Sequence, residues 1–164
     1  MLRRRKRVEF EVTPATLKTL GLAGVAGLRS IAAPALLARA VQRGDLDAPK
    51  LPALGYKDVS KLLSFLSFGE MVADKTNLVP ARTSAPALLG RLLSGAVIGS
   101  VLFADEGRRG NSGAILGALS AFAAAYAGER LRAGGAQIGI PDQILGILED
   151  RFVLTLGTRL LRRT

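Results

Sequence analysis

The sequence predicts an all-α fold, a multi-pass membrane helical bundle of about four long helices plus one short re-entrant or interfacial helix. Three observations lead there. Residues 111–128 carry no charge at all, so a helix there presents no polar face to water. The chain is 49% apolar with 19 Gly but only 5% aromatic, the palette of closely packed helices rather than of sheets. Gly95 and Gly99 are four apart, as are Gly113 and Gly117, and the two pairs lie as mirror images about Glu106.

Taken in order, residues 1–13 form a basic tail with Arg3, Arg4, Arg5, Lys6 and Arg7, and residues 14–164 form a single membrane-embedded domain. Thr13-Pro14 reads as an N-cap followed by a first-turn proline. The apolar stretch from Ala15 to Val41 is interrupted by Lys18, Arg29, Arg39 and Pro34, which predicts a kink or break near Ala33. A secretory signal peptide is the competing reading, but the run is too long for an h-region and Arg29 sits inside it. Residues 42–61 are polar and punctuated by proline, hence a loop. The apolar run that follows, about a dozen residues from Leu62, would reach some 18 Å, short of a hydrocarbon core of about 30 Å, which is why a re-entrant or interfacial helix is expected there.

Ser84 reads as the cap of a run from Ala85 to Ala104 that carries one charge, Arg91, and is long enough to span. Asp105 to Gly110 makes a turn, with Asn111 or Ser112 as the cap of the next helix. Pro141-Asp142 opens the last helix, which runs to about Leu161 and is apolar except for Glu149, Asp150 and Arg151. The segments 33–37 and 85–89 both read APALL, a hint of internal duplication.

Drawn as a helix, residues 111–128 divide by size. Gly113, Gly117, Ser120, Ala121, Ala124 and Gly128 share one face; Ile115, Leu119, Phe122 and Tyr126 share the other. A small face suits close approach of another backbone and a bulky one suits lipid. In an antiparallel hairpin folding at Glu106, Gly99 would meet Gly113 and Gly95 would meet Gly117, which adds dispersion contacts where lipid supplies no hydrophobic drive between helices.

Composition narrows the chemistry. With no Cys and no His, thiol nucleophiles, disulfides, Ser-His-Asp relays and nearly every zinc or haem site are excluded. No cofactor is expected, and any metal would need a hard oxygen site. The net charge of +10 calls for an anionic partner. Because the basic residues sit at the ends of apolar runs without an aromatic stacking platform, membrane lipids are expected and nucleic acid is not.

The remaining candidates are charges close to apolar segments. Glu70 and Asp74 are i,i+4 on the short helix, with Lys75 beside them and Arg82 nearby. Glu149 and Asp150 fall mid-helix, and Arg29 is their evident counter-charge. Glu70, Asp74, Lys75, Arg29, Arg82, Glu149 and Asp150 thus form a candidate polar pathway, and mutual neutralisation is the alternative. No catalytic residue is assigned.

Read together, AGLRSIAAPALLAR, VADKTNLVPARTSAPALLGRLLSGAVIG and GIPDQILGILEDRF resemble an uncharacterised bacterial membrane family catalogued as domain of unknown function 4126, over roughly Leu20 to Phe152. That resemblance implies a small multi-pass protein and no activity that could be carried onto particular residues. The expectation is an inner-membrane protein in a homo-oligomer or membrane complex. Its best functional reading is a small channel or transporter for an ion or polar solute. A non-catalytic scaffold or assembly subunit is the alternative, and a membrane-embedded hydrolase of lipid-linked phosphates the weaker one.

Overall fold

In a computed structural model, residues 12–49, 51–73 and 84–161 are described, and all regular structure among them is helical. The helices are α1 (Pro14–Leu28), α2 (Ala32–Gln42), α3 (Lys57–Ala73), α4 (Ala85–Asp105), α5 (Gly110–Gln137) and α6 (Asp142–Leu161), with a 3-10 turn at Pro52–Gly55.

Thr13 caps α1 through its Oγ1, which accepts the Thr16 N–H at 3.4 Å, and Pro14 opens the helix, where a missing N–H costs nothing. The helix that follows does break within the apolar stretch, a few residues before Ala33. It stops at Leu28, Arg29 takes an extended conformation, and α2 starts at Ala32 with Pro34 accommodated in its first turn. The contacts show that α2 runs back along the bundle. Gly21 lies beside Leu160 and Arg29 beside Asp150, so α1 and α6 are antiparallel. Leu36 lies beside Gly157, and Arg43 lines a cleft with Leu161, so α2 runs parallel to α6 and opposite to α1. At 1.5 Å per residue the two limbs measure about 22 Å and 16 Å.

Further differences from the sequence reading have local causes. The stretch 42–61 is not all loop, because Pro52 starts the 3-10 turn and α3 begins at Lys57, with Asp58 in the first turn where the helix dipole favours an acid. The short helix is therefore 17 residues, about 25 Å, rather than a dozen. Ser84 holds the N-cap position of α4 but makes no capping hydrogen bond, and the N-cap of α5 is Arg109, with Asn111 and Ser112 inside the helix. Helix α5 also continues past Gly128 to Gln137, where Gly139 at φ +79 supplies the left-handed residue that lets the chain turn into α6. The repeated APALL segments open α2 and α4, so in both places the proline lies in a first helical turn.

Helices α4 and α5 form an antiparallel hairpin with α1 lying in its groove; α2 and α6 pack on α1, and α3 packs on α2. The core is small: Leu22, Val25, Leu37, Ile98, Leu102 and Val153 are fully or almost fully buried among alanines. Helix α3 has an inverted surface. It buries Ser60 and Ser67 and leaves Phe65 73% and Phe68 66% exposed. Helix α5 buries Gly113, Gly117, Ala121 and Gly128 while Ile115, Leu119, Phe122 and Tyr126 are exposed. One described helix, α4, is long and apolar enough to cross a membrane, with a mean hydropathy of 1.8 over its span.

Candidate functional site

The chemistry-bearing side chains gather around the break between α1 and α2. The first backbone N–H groups of a helix have no partner within it, so a break in the middle of a bundle leaves donors to be satisfied. Glu70, thirteen residues into α3, faces this break. Its Oε1 accepts the Ser30 N–H at 2.8 Å and the Ser30 hydroxyl at 2.6 Å, and its Oε2 accepts the Ile31 N–H at 2.9 Å. The carboxylate thus works as a capping group delivered from another helix, placed where the α2 dipole is positive.

Arg29, immediately before those two donors, is 1% exposed. Its Nε and Nη2 both meet Asp150 Oδ1, at 2.9 and 2.8 Å, and the Asp150 side chain is only 13% exposed. One turn of chain therefore carries a guanidinium tied to α6 and two N–H groups tied to α3. The helix is broken where its exposed ends can be neutralised from both neighbours.

Glu149 is held separately. Arg132 Nη2 meets Glu149 Oε2 at 2.8 Å, and Arg132 Nη1 meets Asp142 Oδ2 at 3.0 Å, so one arginine joins the C-terminal part of α5 to two positions on α6. Sequence reasoning missed Arg132 because it ended α5 at Gly128; the Ala- and Gly-rich run to Gln137 was the available signal. Ser30 was missed as well, since nothing local marks it as a donor to a residue forty positions away. Asp74, Lys75 and Arg82 lie outside the described residues. Among the described residues, no group of three or more acidic side chains is placed to hold a metal ion.

The glycine pairs lie at the α4–α5 crossing. A Cβ on Gly99 would fall 2.6 Å from the Gly113 carbonyl carbon, and one on Gly117 2.8 Å from that of Gly95, distances that side-chain carbons do not adopt. The same face of α5 serves α1. A Cβ on Gly27 would lie 3.0 Å from the Ala121 carbonyl carbon, and Ser120 Oγ donates to the Leu20 carbonyl at 2.7 Å. Small residues thus bring three backbones together, and the Ser120 hydroxyl is satisfied across the interface.

A cleft of about 630 Å³ opens between the end of α5 and the start of α6, walled mainly by Leu131, Ile138, Leu145, Leu148 and Phe152, with Arg132 and Glu149 at its edge. Its walls are apolar, unlike a hydrated ion path. Comparison with protein-family models, with curated proteins and with solved structures found no match to this chain. The resemblance to the uncharacterised membrane family rests on its three sequence segments alone.

Proposed function

We propose that this chain is a multi-pass helical protein of the bacterial inner membrane that acts as a non-catalytic packing or assembly subunit. The observation that carries the membrane part is the inverted surface: α3 turns its serines inward and its phenylalanines outward, and α5 buries glycine while exposing Ile115, Leu119 and Phe122. In water this wastes the apolar side chains that should form a core, and monomeric soluble proteins rarely expose continuous apolar patches beyond a few hundred Å². In lipid, tight packing of small residues holds helices together and bulky ones face the acyl chains. The span of α4 fits this reading, since only 39% of its most apolar window is buried by the rest of the fold. Helices α3, α5 and α6 fall short of α4 in apolarity; Ser60, Ser67, Gly113, Gly117 and the Glu149 and Asp150 carboxylates are turned toward neighbouring helices, while Lys57, Lys61, Arg130, Arg151 and Arg159 are exposed.

The assembly reading follows from the charges. Glu70 caps α2, Arg29 pairs with Asp150, and Arg132 pairs with Glu149 and Asp142. Each is accounted for by neutralisation inside the fold, so none needs a permeating ion to explain its presence at depth. Transport of an ion or small polar solute is the second reading, favoured by one feature: secondary transporters build binding sites from discontinuous helices, and α1 and α2 are two limbs broken inside the bundle.

Membrane fractionation tests the first part. The protein should resist extraction by high-pH carbonate, and a monodisperse species in detergent-free buffer would defeat the reading. Purified protein in liposomes separates the two functions. An assembly subunit gives no flux across a broad ion panel and co-purifies with a larger complex, whereas flux abolished by Glu70→Gln establishes transport.

A further inference from the structure

Resting on the membrane reading, the direction of α2 carries a consequence for topology and for the lipid the protein meets. Were α1 and α2 one continuous span, the segment after α2 would emerge on the side opposite Thr13. Side-chain contacts join these segments at one end instead. Arg108 Nη1, in the α4–α5 turn, donates to Thr13 Oγ1 at 2.5 Å and Thr16 Oγ1 at 3.3 Å. Asp105 Oδ1 accepts the Asp47 N–H at 2.7 Å, which ties the segment after α2 to the same turn. Arg43 and Asp45 share a cleft with Thr158 and Leu161, which brings in the end of α6. Four separate parts of the chain converge here, while the α5–α6 connection and the start of α4 lie toward the opposite end.

The limbs of α1 and α2, about 22 Å and 16 Å, are each too short to cross a core of about 30 Å. Their joint at Arg29–Ile31 stops partway, where Glu70 and Asp150 receive it. The end where α1 begins and α2 finishes is basic. Arg39, Arg43, Lys57, Lys61, Arg108 and Arg109 are exposed on or near it, and in sequence the Arg3–Arg7 cluster leads into it and Arg162-Arg163 follow from it. At the other end acids match bases, as Asp142 and Glu149 do for Arg132.

We infer that α1 and α2 form a re-entrant hairpin entering from the cytoplasmic side, and that the four chain segments at its base make one basic face seated on the anionic headgroups of the inner leaflet. This arrangement has the start of α1 and the end of α6 inside, α4, α5 and α6 crossing, α3 rising beside the hairpin with Glu70 level with its joint, and the basic segment after α2 on the same side as Arg108 and Arg109. It therefore gathers most Lys and Arg of the described connecting segments on the cytoplasmic side, as the charge bias of membrane proteins requires, while Arg132 at the opposite end is held by Asp142 and Glu149. Anionic lipid is the occupant because these six exposed basic groups outnumber the exposed acids at this end, Asp47, Asp58, Asp105 and Glu106.

The chain has no cysteine, so single sites can be labelled on a clean background. Gln42→Cys, Glu106→Cys and Gln137→Cys all replace exposed residues. With a membrane-impermeant maleimide, Gln42→Cys and Glu106→Cys should react only in inside-out vesicles and Gln137→Cys only in intact spheroplasts. Opposite sidedness of Gln42→Cys and Glu106→Cys would overturn the hairpin, and joint reaction from outside would overturn the cytoplasmic assignment. Recovery of the protein in the soluble fraction would instead sink the membrane reading beneath both. As the lipid arm, native mass spectrometry of protein from mixed phosphatidylglycerol and phosphatidylethanolamine should find phosphatidylglycerol retained preferentially. The preference should fall roughly fivefold for each basic residue removed in the series Arg43→Gln, Lys57→Gln and Lys61→Gln. Equal retention of the two lipids by the unsubstituted protein would refute the basic face as a lipid contact.

Discussion

Replacing Gly99 by alanine tests the helix crossing most directly, because a single methyl group has a calculable place to go. That methyl would sit 2.6 Å from the carbonyl carbon of Gly113 and 3.1 Å from Thr19 Cγ2, whereas ordinary van der Waals contact begins near 3.4 Å. The Gly113 carbonyl oxygen lies nearer still, and backbone cannot rotate away, so the two helices must separate by more than the ~0.8 Å that the carbon contact alone would need. Such a displacement loosens the neighbouring Gly95–Gly117 crossing too. Overpacking of this kind costs about 1–3 kcal/mol, offset by about 0.5–1 kcal/mol for the gain in helix propensity from Gly to Ala, which leaves a net destabilisation of about 1–2 kcal/mol. Gly90 is the internal control. It lies in the same helix with no atom within 4 Å of a built Cβ, so Gly90→Ala should keep only the propensity gain. The two substitutions, chemically identical and nine residues apart, should shift thermal unfolding in opposite directions. Followed by circular dichroism in detergent, the midpoint should fall by roughly 2–8 °C for Gly99→Ala and rise by roughly 1–4 °C for Gly90→Ala. If Gly99→Ala unfolds no earlier than Gly90→Ala, the close backbone contact is wrong.

Two further substitutions address the broken helix. Glu70→Gln puts an amide NH2 against the Ile31 N–H and removes the negative charge from the start of α2, so it should cost about 1–2 kcal/mol and raise hydrogen exchange at Ser30 and Ile31 ahead of the rest of the fold; unchanged exchange there would refute the capping role. Arg29→Met alone should cost about 3–5 kcal/mol by stranding Asp150, while Arg29→Met combined with Asp150→Leu should recover most of it. A double variant as unstable as the single one would mean that the pair does more than neutralise itself.

Local chemistry made part of this fold legible from the sequence. Thr13-Pro14 and Pro141-Asp142 announce helix starts, and the first is cemented by a cap that needs only residues three apart. The division of α5 into a small and a bulky face is a property of helical geometry, and it places the same residues inside and outside as the tertiary structure does. The mirrored glycines implied which backbones meet because an antiparallel hairpin with a short turn has one register.

What the sequence left open is whatever depends on elements far apart in the chain. An apolar run containing Arg29 and Pro34 reads equally well as a kinked span or as two limbs; α6 and α3 decide it, because Asp150 and Glu70 are placed to neutralise a break at Arg29–Ile31. The extension of α5 beyond Gly128 was likewise hidden, since Arg130 and Arg132 look like a terminus until Asp142 and Glu149 arrive from the next helix to hold one of them. Helical periodicity and capping act over three or four residues and can be read from one segment at a time. The neutralisation of a buried charge is a contact between segments, and only the packed structure specifies which segments those are.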